Sequence, residues 1–309
     1  MMKWLVIFLK GAAMGAANVI PGVSGGTVAF ITGIYERLIH AVKSLTGPSL
    51  KLLAQRKIRE FFEKTDLVFL IFLGLGVAIS ILSLAKVLKY LFANYEMHVW
   101  AFFFGLILAS VIFVGNKVKR WSLGPVIGLV IGTVIAVGIA LLKPASENDS
   151  VFYLLICGVI AMASMIIPGL SGSFVLLLLG NYQLIMIDSV SKLMDGDWSA
   201  FRILIPVGIG AVIGLLALSH VLSWIFKRFH DIAVALLTGF VAGSLLIIWP
   251  WKDKVIEVFG EGESAKEKVV GYDWNLPAME SSTFIAIGLM IAGFFLVWLM
   301  EKSGLAEKE

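Results

Sequence analysis

The sequence predicts an all-α polytopic membrane protein made of two inverted repeats. Each repeat is a helical hairpin broken at a Pro-Gly-x-Ser-Gly turn, followed by three transmembrane helices. Three observations predict it. The first is composition: of 309 residues, 59% are hydrophobic and 15% charged, and mean hydropathy is +0.96. Several windows run about 18 or more residues with few charges, enough to cross roughly 30 Å of hydrocarbon. The second is a duplicated motif, Ile20-Pro21-Gly22-Val23-Ser24-Gly25-Gly26 and, 147 residues on, Ile167-Pro168-Gly169-Leu170-Ser171-Gly172-Ser173. Broken backbone at membrane depth survives only where protein or a water-filled cavity surrounds it. The third is the alternation of basic and acidic connections.

The elements follow in order. Apolar stretches fall at 4–42, 67–92, 98–115, 122–142, 151–187, 201–226, 232–250 and 282–300. The first and fifth are too long for one span, and the motif cuts each near its middle. Residues 1–142 form the first repeat and 151–300 the second, within one membrane domain. At an offset of 147, Gly11, Gly33 and Tyr35 fall on Gly158, Gly180 and Tyr182; at 134, Gly74, Gly76 and Gly105 fall on Gly208, Gly210 and Gly239. The 13 extra residues of the first half lie in the basic loop 43–64.

Charge sets the orientation by the positive-inside rule. Loop 43–64, Lys117-Val118-Lys119-Arg120 and Lys227-Arg228 are basic, whereas 93–97, 143–150 and 188–200 are poor in Lys and Arg, and 251–281 has more acids than bases. The alternation closes only if each broken segment enters and leaves on one side. Both termini are then cytoplasmic, in a bacterial inner membrane, and the two hairpins enter from opposite faces. Inverted repeats with broken helices meeting near the midplane are a recurrent transporter architecture. The arms, about 17–20 residues, allow either re-entrant or fully spanning hairpins; the tip chemistry favours the re-entrant form.

The same inventory excludes other classes. One cysteine, Cys157, rules out a disulfide framework, and four scattered histidines show no metal-ligand spacing. The charge of +4 reads as the positive-inside bias rather than nucleic-acid binding. The N-terminal apolar run stops at Lys10, too short for a signal peptide.

Gly22, Gly25 and Gly26 let the backbone approach a ligand closely, and Pro21 interrupts the helical ladder. Ser24 or Thr27 suits the cap of the helix that resumes. Its N-terminus then faces the break, a setting for an anion. Pro168, Gly169, Ser171, Gly172 and Ser173 repeat the arrangement, so the two turns are a candidate dyad for a phosphate or carboxylate. Asn18 either contacts the ligand or satisfies the broken backbone. The plainer use of such glycines is close helix packing. No Lys follows them, which excludes a P-loop. Glu36 and Arg37, beside Tyr35, stand near the cytoplasmic mouth as a gate or anion relay, or as interfacial anchors. Their counterparts beside Tyr182 are Gln183 and Leu184. Lys86 and Lys89, near the outer end of the second span, either attract an anion or snorkel.

The run Gly11-Ala12-Ala13-Met14-Gly15-Ala16-Ala17-Asn18-Val19-Ile20-Pro21-Gly22-Val23-Ser24-Gly25-Gly26-Thr27, with Gly33-Ile34-Tyr35-Glu36-Arg37-Leu38-Ile39 after it, resembles the bacterial polyprenyl-phosphate transporter family over nearly the whole chain. The resemblance implies a flippase that moves undecaprenyl phosphate from the outer to the inner leaflet, for reuse in cell-wall synthesis. The motif positions Pro21 to Thr27, Glu36, Arg37 and Pro168 to Ser173 carry over from it, and their part in binding is read from the turn chemistry above.

A bare phosphate in hydrocarbon costs on the order of tens of kcal/mol in the Born limit, which a midplane anion site would largely remove. Carrying about two negative charges inward against the potential costs about 2.3 kcal/mol per charge per 100 mV. Co-transport of protons or sodium is therefore expected, with no other cofactor and no metal site. Two rivals remain: a membrane undecaprenyl-pyrophosphate phosphatase and a transporter of small soluble anions. The phosphatase turn carries Arg after Ser and a Glu-rich companion motif; here Gly25 and Gly172 follow the serines, leaving cleavage without clamp or base. Oligomeric state and chain-length preference stay open.

Overall fold

A computed structural model describes residues 2–19, 24–259 and 266–302. Pro21 and Gly22 fall outside the described residues, as do the side chains of Lys86 and Lys89.

The first half contains α1 (Met2–Val19), α2 (Gly25–Ile31) and α3 (Tyr35–Ser44). Two short helices, α4 (Pro48–Ala54) and α5 (Ile58–Thr65), occupy the basic loop. Next come α6 (Leu67–Gly115) and α7 (Leu123–Ala140). The second half contains α8 (Val151–Ile166), α9 (Gly172–Leu178), a π-helical turn Gln183–Asp188, and α10 (Ser189–Met194). A 3-10 turn, Trp198–Ala200, leads into α11 (Phe201–Arg228), followed by α12 (His230–Ser244). Strands β1 (Lys252–Phe259) and β2 (Lys266–Trp274) precede α13 (Ser281–Lys302).

Among the described residues, four helices are long and apolar enough to cross a membrane: Tyr90–Gly115, Leu123–Ala140, Trp198–Arg228 and Ser281–Leu299. Ile58–Thr65 and Leu67–Ser83 form a pair bent by 64°. The 49-residue α6 contains both expected spans, 67–92 and 98–115, separated by non-helical Tyr95 (φ −140°, ψ 39°). The expected span 232–250 is shorter than read from the sequence. Helix α12 stops at Ser244 and the chain turns through 245–248. Large apolar side chains such as Leu82, Val134, Ile213 and Phe284 are exposed along α6, α7, α11 and α13. Such surface marks a membrane-embedded protein.

Glycines set the helix pairs and their directions, because a missing Cβ lets backbones touch. A Cβ at Gly11 would meet the Leu73 carbonyl, and one at Gly15 the backbone of Val77, so α1 and the start of α6 run parallel. A Cβ at Gly158 would meet Val207, and one at Gly214 would meet Val159, so α8 and α11 also run parallel. Gly132 lies against Leu236 and Phe240, while Gly293 lies against Phe102 and Leu106. Helix α7 thus packs on α12, and α13 on the second half of α6.

These contacts recur at fixed spacings. Gly11 with Leu73 and Gly158 with Val207 correspond at offsets of 147 and 134, as do Gly76 with Phe8 and Gly210 with Leu155. Gly33 and Gly180 share a positive φ, +72° and +74°. Tyr95 is matched at the 134 offset by Phe229 (φ −139°, ψ 52°), which separates α11 from α12.

The two broken segments are anchored at opposite ends of α7. In the first, Gly25 N–H reaches back to Asn18 Oδ1 (2.8 Å) and Lys10 Nζ donates to the Thr32 carbonyl (2.9 Å), so α1 and α2 run antiparallel. Its base, Glu36, meets His230, whose neighbour Asp231 accepts from the backbone of Lys119 and Arg120 just before α7. In the second, Tyr153 Oη donates to the Leu179 carbonyl (2.8 Å), the position equivalent to Thr32. Its base, Asn181, bonds the backbone of Asn148 beyond the far end of α7. The side holding Lys119, Arg120 and Arg228 is hereafter the basic face, and the other the opposite face.

On the opposite face, the stretch 251–281 is not a plain loop. Strands β1 and β2 pair antiparallel with an irregularity at Val255/Ile256. Trp274 Nε1 donates to the Leu246 carbonyl (2.9 Å), capping the end of α12, and Lys254 pairs with Glu96 beside the Tyr95 kink (2.7 Å).

Candidate functional site

The two motif turns meet. Thr27 Oγ1 accepts the Gly169 N–H at 2.7 Å, and the Ser24 hydroxyl lies 3.5 Å from the Met165 carbonyl. A Cβ at Gly26 would stand 2.7 Å from the Ile166 carbonyl, so this contact requires glycine. Gly169 sits at φ +84° against the Phe240 carbonyl, where an L side chain is both strained and crowded. Ser24 and Thr27 are 2% and 1% exposed, and Ser171 is 8% exposed. Few hydroxyls are buried this deeply without a structural or ligand-binding use.

The turns differ in how their backbone is satisfied. Ser24 is the N-cap of α2 and accepts the Gly26 N–H at 3.1 Å, while Asn18 takes that of Gly25. The Thr27 N–H bonds the Ser24 carbonyl. The first-turn donors of α2 are thus occupied, and the Asn18 oxygen serves the broken backbone. Helix α9 has Ser171 as N-cap without a side-chain cap bond; Ser171 Oγ instead lies 2.8 Å from Ser173 Oγ. A Cβ at Gly172 would meet Met165 and the Ala161 carbonyl, which brings α9 close to α8.

The second group of sequence candidates sits at the base of the first hairpin. Arg37 makes a bidentate bridge to Asp66 (2.6 and 3.1 Å) and stacks 4.2 Å over the Phe69 ring. Glu36 Oε1 is 3.0 Å from His230 Nε2, and His230 Nδ1 is 3.5 Å from Asp231. These bonds tie the hairpin base to α6 on one side and α12 on the other. Tyr35 is core rather than mouth: its ring packs on Phe30 and Phe226, and among the described residues its hydroxyl has no partner. Tyr182 is half-buried against the Leu154–Cys157 cluster. Gln183 bonds Asp188 at 3.1 Å inside the π-turn, so no ion pair replaces Glu36 there. The structure joins Thr27 to Gly169, Ser24 to the Met165 carbonyl and Ser171 to Ser173, and leaves Glu36 and Arg37 on the basic face.

Sequence reasoning missed Asp66 and His230. Partners for Glu36 and Arg37 had to lie on the same face, and both residues begin spans there, so face assignment carried a usable signal. Among the described residues no cluster of three or more His, Cys, Asp or Glu could hold a metal.

Comparison with known proteins identifies the family. Residues 14–265 match the family described as undecaprenyl phosphate translocase-like. The chain is 38% identical over 306 residues to a polyprenyl-phosphate transporter of Vibrio cholerae, covering 97% of both chains. It is 30% identical over 260 residues to a polyprenyl-phosphate transporter of Staphylococcus aureus, covering 80% of this chain and 87% of that protein. No solved structure matches. By these matches the chain belongs to the undecaprenyl phosphate translocase-like family, whose named relatives are transporters rather than enzymes.

Proposed function

We propose that the protein moves polyprenyl phosphate from the outer to the inner leaflet of the bacterial cytoplasmic membrane, returning the carrier for cell-wall synthesis. The observation that carries the reading is the Thr27–Gly169 contact between two turns whose segments are anchored at opposite ends of α7. The recurrent glycine contacts and the matched Tyr95 and Phe229 breaks support two inverted repeats, 1–142 and 151–300, related across that contact. The basic face is then cytoplasmic, with both termini on that side.

In this mechanism the phosphate occupies the space between the turns, with Ser24, Thr27, Ser171 and Ser173 as hydroxyl donors and the glycine backbone close by. The turns touch in this state, so passage requires them to part, each hairpin moving with its own anchor. Rigid motion of one repeat against the other around a central site provides this alternation. The isoprenoid chain stays in lipid throughout. Inward movement of a dianion opposes an inside-negative potential, so proton or sodium co-transport supplies the direction.

Reconstitution in liposomes tests the reading. Labelled polyprenyl phosphate is expected to exchange between leaflets faster than in empty liposomes, to slow in the Ser24→Ala/Ser171→Ala variant, and to respond to imposed ion gradients and voltage. Exchange at the rate of empty liposomes would overturn the flippase. Release of phosphate from polyprenyl pyrophosphate would point to an enzyme instead, and uptake of free phosphate into the lumen to a small-anion carrier.

A further inference from the structure

Each kink between a second and a third span opens a cleft, and the described walls of the two clefts differ in charge. At the opposite face, a cleft of about 530 Å³ lies between the Tyr95 kink of α6 and Ile285 on α13. At the basic face, a cleft of about 440 Å³ lies between the Phe229 break and Gly124 on α7. Tyr95 corresponds to Phe229 at the 134 offset, and Ile285 to Gly124 at 161, the spacing that also relates Gly293 to Gly132. Among the described residues, the first cleft is walled by leucine, phenylalanine, valine and isoleucine, with Tyr95 and His98. The second is walled by Lys119, Arg120, Ser122, His230 and Asp231.

The charged cleft already grips an anion of its own. Both Asp231 carboxylate oxygens accept backbone N–H groups, from Lys119 at 3.3 Å and Arg120 at 3.1 Å. Those bonds use only the main chain of the two cations. Among the described residues, neither the Lys119 ammonium nor the Arg120 guanidinium enters an ion pair. His230, on the same wall, is the residue that bonds Glu36 at the base of the first hairpin. One side chain therefore touches both the hairpin base and the cleft.

We propose that this cleft is a phosphate-monoester site on the basic face, which receives the head group of the lipid after it leaves the central turns. The assignment rests on the transport reading above. Charge complementarity carries it: two cations and an imidazole line a space at the membrane–water boundary, and guanidinium and ammonium groups are the usual partners of phosphate oxygens. Asp231 is the carboxylate on the cleft wall and Glu36 bonds the His230 of that wall; their charges tune the site toward release rather than tight retention.

Farnesyl phosphate is a suitable probe, titrated against the full-length protein in detergent. Lys119→Gln/Arg120→Gln is expected to weaken its binding about tenfold or more, since a charge-assisted contact is worth a factor of that order. Each single variant is expected to give a partial loss. Raising salt is expected to weaken the wild type and to leave the double variant little changed. Unaltered affinity in a well-folded double variant would overturn the site. Equal competition by phosphatidylglycerol would overturn its assignment to a monoester, and equal competition by inorganic phosphate would overturn the lipid as its source. Ser24→Ala/Ser171→Ala separates the two readings. It is expected to slow leaflet exchange while keeping cleft affinity, and if wild-type exchange itself is absent, the transport reading fails whatever the cleft binds.

Discussion

The two Pro-Gly turns share a sequence motif but not a backbone solution. The first closes on itself through Asn18 and Ser24, which take the donors that open α2. The second is held from outside: its Gly169 N–H is taken by Thr27 of the first turn, and its two serines bond each other. Position 18 explains the difference, because its counterpart Met165 offers no side-chain oxygen where Asn18 does. Side chains a few residues away thus make the first turn a clasp and leave the second a receptor for Thr27. In the proposed mechanism, the clasp presents Thr27 and the receptor changes partner when substrate enters.

The largest test of that division is at the glycines. Gly169→Ala puts a methyl 2.5 Å from the Phe240 carbonyl at a positive φ, and is expected to cost about 3 kcal/mol or more. Gly208→Ala, with nothing within 4 Å of the added methyl, is expected to be near neutral. Monodispersity after graded heating in detergent measures both. Equal loss in the two would mean that the turn geometry is not specific.

A middle-sized effect separates clasp from receptor. Asn18→Ala leaves the Gly25 N–H without its acceptor and is expected to cost about 1–3 kcal/mol. Ser171→Ala is expected to leave stability nearly unchanged and to slow exchange. If Ser171→Ala destabilises as much as Asn18→Ala, the second turn is also a structural clasp.

How much of this was legible beforehand depends on range. The α6 break at Tyr95 was readable because the stretch exceeds one span and turns near residues 93–97. The pairing of α6 with α13 was not, since Gly105 and Gly293 are ordinary helix glycines until their neighbours are known. The β-hairpin was overlooked because 251–281 was read for charge alone. Its Val255-Ile256-Glu257-Val258-Phe259 and Val269-Val270 segments carry β-branched residues suited to strands. For the candidate site, the turns were local motifs and visible, whereas the Glu36–His230 link joins residues 194 apart and was not.

The smallest predicted effect concerns that hairpin, and contrasts the opposite face with the basic one. Lys252 is buried between the rings of Trp100 (4.0 Å) and Tyr272 (4.8 Å) and donates to the Ile247 carbonyl. Burial lowers its ammonium pKa to about 7, with Glu96 opposing the shift and Lys254 adding to it. Between pH 7 and 10.5 the undocked strand binds more protons than the docked one, so docking strengthens as pH rises through that window. Hydrogen-exchange protection of β1, corrected for intrinsic rate, is expected to increase modestly from pH 7 to 9 and to be flat in Lys252→Met. The same slope in the variant would assign the effect to another group.

The account's central claim, that phosphate passes between the two turns, is tested most directly by tying them together. In a Cys157→Ser background, Ser24→Cys/Met165→Cys adds one thiol on each side of the contact between Ser24 and the Met165 carbonyl, for bridging by a short bismaleimide with a reducible disulfide. Leaflet exchange of labelled polyprenyl phosphate is then measured on the cross-linked protein and again after reduction. The account predicts exchange at the empty-liposome rate while tied and recovery once reduced. Undiminished exchange through fully cross-linked protein would contradict it.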